Sequence, residues 1–311
     1  MLTSVQATFI ADHLESVDQD YYVGAGLWGE PFLCDGVLCY FDGETLQVMG
    51  SPMGGGWPEG RARVAGVIRD WVRDERVWFV NYFGPFQLSD PGSHWTLLYS
   101  CPPRAWNVEL FAPLPPHCRR GDVRRMERRG YETWVGRRDY LTHEHLRLLR
   151  DLAAREALPA SDVACLTNIV SILRGEATTM FEARADGRLA GFVIAHEFFP
   201  GRPLMVSAAF DPSIAGVSDL LYHLALQHYA ERGACEMGMG YSAEEGLYRY
   251  KAKWGIVRQG PPSWQFIWQR EGCGAPFNDC LFWPWRFLTA CLPPPSPTEP
   301  TLADAVDARE A

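Results

Sequence analysis

From about residue 20 to 112 the hydrophobic and polar positions alternate between strand and turn signals. Phe32–Phe41 and Thr45–Met49 read as strands joined at Asp42-Gly43, a dipeptide suited to a hairpin turn. After the Gly/Pro-rich loop at 51–60, apolar residues at 64, 67, 68, 71 and 72 repeat with helical spacing, predicting a helix over Arg61–Asp74. Val77–Phe83 reads as a strand, so the region up to about residue 112 is an α+β unit.

Past the Pro-rich joint at 112–117 the pattern changes. Thr142–Ala157 predicts a helix with Thr142 as N-cap, and 163–174 a second one. Thr179–Arg184, the turn Asp186-Gly187 and Leu189–His196 predict a hairpin, followed by a strand at Leu204–Phe210. Gly216–Arg232 carries apolar residues at 217, 220, 221, 224 and 225 and ends at Gly233, a helix with a glycine C-cap. Strand Ala234–Met239, short helix Glu244–Lys253 and final strand Trp264–Trp268 complete the series, and the Pro-rich tail from residue 293 reads as disordered.

Charge changes this picture in one place. The 311-residue chain has a formal net charge of −9, which does not attract polyanions as a whole. Yet eight arginines lie at 119, 120, 124, 125, 128, 129, 137 and 138, opposed only by Asp122, Glu127 and Glu132. On a helix Arg120, Arg124 and Arg128 form one stripe and Arg125 and Arg129 the adjacent one. Such a stripe reads either as a platform for nucleic-acid backbone phosphates or as a solvent-facing helix or interdomain salt-bridge set.

Composition excludes several classes. The nine cysteines are odd in number and lack CxxC spacing, which argues against a zinc centre or a disulfide framework and for reduced thiols in the cytoplasm. The N-terminal residues lack a signal-peptide pattern, and no stretch has the roughly 18 apolar residues of a membrane span. The most apolar stretch, 280–292, is broken by Pro284 and Arg286 and reads as core packing ahead of a docking segment or a membrane-surface contact. His143-Glu144-His145 and the pair His223/His228 do not share helix faces, so no metal site is expected. Met53-Gly54-Gly55-Gly56-Trp57 lacks the Lys of a phosphate loop; an acceptor-pocket wall is the other reading. No Ser-His-Asp or Cys-His spacing suggests a covalent intermediate.

The chemistry concentrates between 211 and 255. The loop Asp211–Gly216 leads into a helix start bearing Gly216, Ser218 and Asp219, where unpaired N–H groups and the helix dipole favour an anion. Downstream runs Gly246-Leu247-Tyr248-Arg249-Tyr250-Lys251-Ala252-Lys253-Trp254-Gly255. These two runs, with the Arg-rich segment ending in Gly130-Tyr131, resemble the FemAB branch of the N-acetyltransferase (GNAT) superfold and the catalytic domain of phosphatidylglycerol lysyltransferases. The resemblance covers about 115–270 and, more loosely, the first lobe.

The resemblance implies tandem GNAT-like lobes, one over 1–115 and one with the donor-binding helix over 116–292, with 293–311 outside both. It implies an aminoacyltransferase that takes its acyl group from aminoacyl-tRNA and passes it to an amine or hydroxyl of a small soluble acceptor, without a cofactor. Lys251 would be catalytic; Gly216, Ser218, Asp219, Arg249 and Lys253 would bind the donor; Arg120, Arg124, Arg125, Arg128 and Arg129 would bind tRNA. Two departures from ordinary acetyltransferases weigh against acetyl-coenzyme A. Ala215 and Ser218 stand where the phosphate loop usually has Arg and Gly, and Lys251 stands four residues before Gly255, where a catalytic Tyr is usual. An acyl-coenzyme A or carrier-protein thioester donor is the alternative, and a non-catalytic GNAT-like binding module the second.

Overall fold

The computed structural model describes residues 30–49, 57–103, 108–113, 128–156, 173, 176–197, 201–242, 245–260 and 263–273. Among the described residues, twelve strands form two six-stranded mixed sheets, with four helices beside them. The helix expected at 163–174, the glycine loop 53–56, the segment 280–292, the tail from 293, and Arg120, Arg124 and Arg125 lie outside the described residues, apart from Leu173.

The first sheet runs β1 (Glu30–Cys34), β2 (Val37–Phe41), β3 (Thr45–Met49), β4 (Phe79–Gly84), β12 (Trp264–Arg270), β5 (Trp95–Cys101). The single strand expected at Phe32–Phe41 is two strands, β1 and β2. Asp35 and Gly36 fold the chain back at φ 47° and 73°, the two positive values of a tight hairpin turn. Helix α1 (Trp57–Trp71) places Val64, Val67 and Ile68 against Val48, Val80, Tyr82 and Trp268.

The second sheet runs β6 (Val108–Pro113), β11 (Glu236–Ser242), β10 (Leu204–Phe210), β9 (Arg188–His196), β8 (Thr178–Ala185), β7 (Glu132–Gly136). Strand β9 is buried on both faces beyond Arg188. Val193 and Ala195 face helix α3 (Val217–Glu231), while Phe192 and Ile194 face helix α2 (His143–Arg155). Asp186 and Gly187 turn the β8–β9 hairpin at φ 51° and 75°, as their sequence implies. Helix α4 (Glu245–Ala252) follows β11.

Trp264–Trp268, read as the final strand within the lobe over 116–292, lies as β12 in the first sheet, between β4 and β5. In return β6, from before residue 115, joins the second sheet beside β11. Neither sheet is therefore a continuous stretch of chain. Phe266, Ile267 and Trp268 of β12 are buried in succession, with Phe266 and Trp268 in the first core; such an apolar run fits either sheet, and packing decides which one receives it.

Both sheets contain the same unit, a strand, a 15-residue helix and a parallel neighbour: β3–α1–β4 and β10–α3–β11. Their pairing differs. β3 and β4 pair over five positions, Thr45↔Phe79 to Met49↔Phe83. β10 and β11 pair only at Leu204↔Gly238 and then part. A register shift between Gly238 and Gly240 on the β6 side, with Gly240 at φ 65°, turns β11 away from β10.

Candidate functional site

The site lies where β10 and β11 separate, between the start of α3 and helix α4. Helix α3 begins at Gly216, whose φ of 87° and ψ of −1° is a left-handed conformation that a Cβ would strain. Its carbonyl accepts the first helical bond, from Leu220 N at 3.1 Å, so the N–H groups of Val217, Ser218 and Asp219 have no partner within the helix. No side chain caps them. The loop before it is held by Asp211, which accepts from Ser213 N at 3.0 Å and Ser213 Oγ at 2.6 Å. We expect Gly216→Ala to cost about 1–2 kcal/mol in chemical denaturation, the penalty of a left-handed Cβ.

Lys251 is buried, with 4% of its surface exposed. Its Nζ donates to the carbonyl oxygen of Gly240 at 3.0 Å. That carbonyl belongs to the stretch of β11 that has left β10, so a side chain from α4 replaces the missing ladder partner. Lys253, in the turn just past α4, goes to another side: its Nζ pairs with Asp219 in the first turn of α3 and lies 4.1 Å from the centre of the Tyr250 ring. Tyr222 packs edge-on to Tyr250 at 5.1 Å and stacks on Trp254 at 5.9 Å, so α4 and α3 are joined by an aromatic cluster. Burial pushes the Tyr222 and Tyr250 hydroxyls well above their ordinary range, so both stay protonated at neutral pH.

The remaining expected donor contacts are spread out. Arg249 forms an i−4 ion pair with Glu245 on the exposed face of α4. Ser218 and Asp219 sit at the α3 start with Gly216. Of the arginine stripe, Arg128, Arg129 and Gly130 form a turn, Gly130 at φ 71°, that leads into β7. Arg129 Nη1 donates to Ala215 O at 2.6 Å, and the Tyr131 hydroxyl donates to the same oxygen at 3.0 Å. The end of the Arg-rich segment is thus bonded to the loop before α3, a contact across 86 positions that no local sequence signal carries.

A second polar cluster braces the sheet from its other face. Glu182 on β8 is buried and bound by Arg138, through Nε to Oε1 and Nη2 to Oε2 at 3.1 Å, with His145 Nε2 3.3 Å away. His145 Nδ1 accepts from Thr142 N at 3.2 Å, closing the start of α2. Glu144 accepts from Leu189 N and from Arg184, each at 2.8 Å. His143-Glu144-His145 is therefore a helix-to-sheet clamp, and no metal-holding cluster exists among the described residues.

Burial alone would raise the Glu182 carboxyl, but His145 and Arg138 outweigh it and hold the pKa at about 2. A depressed folded pKa stabilises above the unfolded value of 4.5 and is lost as pH falls toward 2. Urea titrations should show Glu182→Gln less stable by about 3 kcal/mol at pH 7, with a flatter pH dependence between these limits.

Cys34, Cys39, Cys235 and Cys273 are free thiols. No described helix is long and apolar enough to cross a membrane.

Residues 118–252 match the family model of the acetyltransferase (GNAT) domain. The chain carries a GNAT domain, and the protein is an acyltransferase of that fold. Among solved structures it is similar to FemX, with 9% identity over 85% of this chain and 96% of that one and a TM-score of 0.52. A protein of unknown function from Bacteroides thetaiotaomicron aligns at 13% identity over 87% and 98%, TM-score 0.51. The C-terminal domain described for a lysylphosphatidylglycerol synthetase of Agrobacterium fabrum aligns at 14% over 85% and 92%, TM-score 0.50. At these identities the likeness is one of fold. No curated protein matches the chain by sequence.

Proposed function

We propose that the protein is an aminoacyltransferase that moves an amino acid from aminoacyl-tRNA to an amine or hydroxyl of a small soluble acceptor in the cytoplasm. The observation that carries this reading is the buried Lys251, fixed by Gly240 O at the opening between β10 and β11. Gly216, Ser218 and Asp219 bind the 3′ end of the donor at the start of α3, and Lys253 and Arg249 flank it. Arg120, Arg124, Arg125 and Arg128 extend the contact along the tRNA backbone.

The reaction needs no covalent intermediate. The acceptor's lone pair attacks the ester carbonyl, the bond to the ribose oxygen breaks, and the proton released from the acceptor ends on that oxygen. Positioning both partners and donating to the charge that develops account for the rate. A lysine does this as a compact point charge.

A thioester donor is the second reading, favoured by the match to a family described as acetyltransferases. Purification of the protein followed by identification of what it carries separates the two. Bound tRNA is the expected result; coenzyme A thioester alone overturns the proposal. An α4 standing exposed and unsupported would favour the non-catalytic reading; the burial of its Lys251 against β11 supports the catalytic one.

A further inference from the structure

No spacing in the sequence marks a hydroxyl, an imidazole and a carboxylate as partners, yet the fold sets three of them in a row. The hydroxyl of Thr142, the residue that precedes α2, lies 2.6 Å from His145 Nδ1. The same nitrogen accepts from the Thr142 N–H at 3.2 Å, so it carries no proton and the hydroxyl donates to it. The ring proton is then on Nε2, which lies 3.3 Å from Glu182 Oε1 on β8. His145 and Glu182 are 0% and 1% exposed, and Arg138 binds both oxygens of the carboxylate. Thr142 is half-buried beside the exposed His143, so of the three it is the hydroxyl residue that reaches the surface. A capping box accounts for the contact between the Thr142 N–H and the side chain at 145. It does not account for the buried carboxylate on the far side of the ring, which fixes the nitrogen that carries the proton.

We propose that Thr142 is a nucleophile, with His145 as its general base and Glu182 as the positioning residue, and that the protein takes small acyl groups from activated esters onto this hydroxyl and hydrolyses them. Thr142 Oγ1 attacks the ester carbonyl as its proton passes to His145 Nδ1. The bond to the leaving oxygen breaks, and Nδ1 returns the proton to that oxygen. Water then attacks the threonyl ester and gives one proton to Nδ1, which passes it back to Oγ1 as the acid leaves. The first bond of α2 runs from Leu146 N to Thr142 O at 3.1 Å, so the N–H of His143 has no partner within the helix. It follows the nucleophile directly, where a donor to the oxyanion is needed. This activity is separate from Lys251 and does not depend on the aminoacyl-tRNA reading.

The probe is p-nitrophenyl acetate, with phenolate release followed by absorbance and the acetylated residue located by peptide mass spectrometry. The folded protein should carry acetyl on Thr142, and the urea-unfolded protein should not. Thr142→Asn is the informative variant, because asparagine caps a helix at least as well as threonine but has no hydroxyl. It should keep the wild-type unfolding midpoint and lose both the acetyl group and the phenolate release that goes with it. Thr142→Ser should retain both. Glu182→Gln should slow acetylation by about 10²-fold or more at an unchanged half-saturating probe concentration, because the imidazole loses its fixed tautomer while the ester keeps its binding surface.

Acetyl found on other side chains but not on Thr142 overturns the proposal. So does Thr142→Asn releasing phenolate at the wild-type rate, or equal acetylation of Thr142 in the folded and unfolded chain.

Discussion

Lys251→Ala is expected to lower turnover by about 10²–10³-fold, the cost of one donor aimed at developing charge. The reason is geometric. Nζ is anchored at 3.0 Å on Gly240 O, beside the point where β10 and β11 lose their pairing, so the group has little freedom to be elsewhere. The measurement is single-turnover transfer from labelled aminoacyl-tRNA to the acceptor identified by co-purification. Because Lys251 is buried, Lys251→Met serves as a companion that keeps its packing while removing the donor; circular dichroism checks both folds. Lys253→Ala behaves differently: it leaves Asp219 uncompensated at the α3 start, so the donor KM rises with little change in kcat. Near-wild-type turnover by Lys251→Met would remove this lysine from the reaction.

The second large effect concerns stability and the exchanged strand. Trp268 is 1% exposed in the core of the first sheet, and its Nε1 donates to Asp90 Oδ1 at 2.9 Å. Trp268→Ala should cost about 3–5 kcal/mol in urea unfolding, through the cavity it leaves. The residue lies on β12, which follows the elements of the second sheet in the chain but pairs within the first. Its loss should nonetheless be felt by α1 and β4, which hydrogen exchange would show as lost protection in residues 64–68 and 79–84. Protection lost only in the second sheet would contradict the exchange of strands.

Local patterns carried much of the fold. Leu204–Phe210 alternates and is bounded by turn residues, and it is β10 with the same ends. The apolar spacing from 217 to 225 defined α3 within a residue at each end, because both its buried faces and its flanking glycines are local facts. Where sequence reading went astray, the deciding physics was either a missed local signal or a long-range pairing. Asp35-Gly36 is the same turn chemistry as Asp186-Gly187, and could have been read. By contrast β7 carries Thr133, Trp134 and Val135 exposed at a sheet edge, so burial gave it no periodic imprint.

For the site, the sequence by itself determined which residues are chemically able to act: a glycine where the backbone turns left-handed, an acidic first turn, and two lysines on one short helix. It also fixed that Lys251 and Lys253 point apart, since two residues on a helix differ by roughly 200°. Only the tertiary structure decided what those lysines meet. Whether a parallel pair zips over five positions, as β3 and β4 do, or opens after one, as β10 and β11 do, depends on the bulge at Gly240 and on the neighbour across the sheet. Which sheet receives β12, and which loop receives Arg129, are likewise contacts between segments far apart in the chain. Such contacts are set by the burial and hydrogen bonding available at the partner surface, and no window of sequence contains both sides of them.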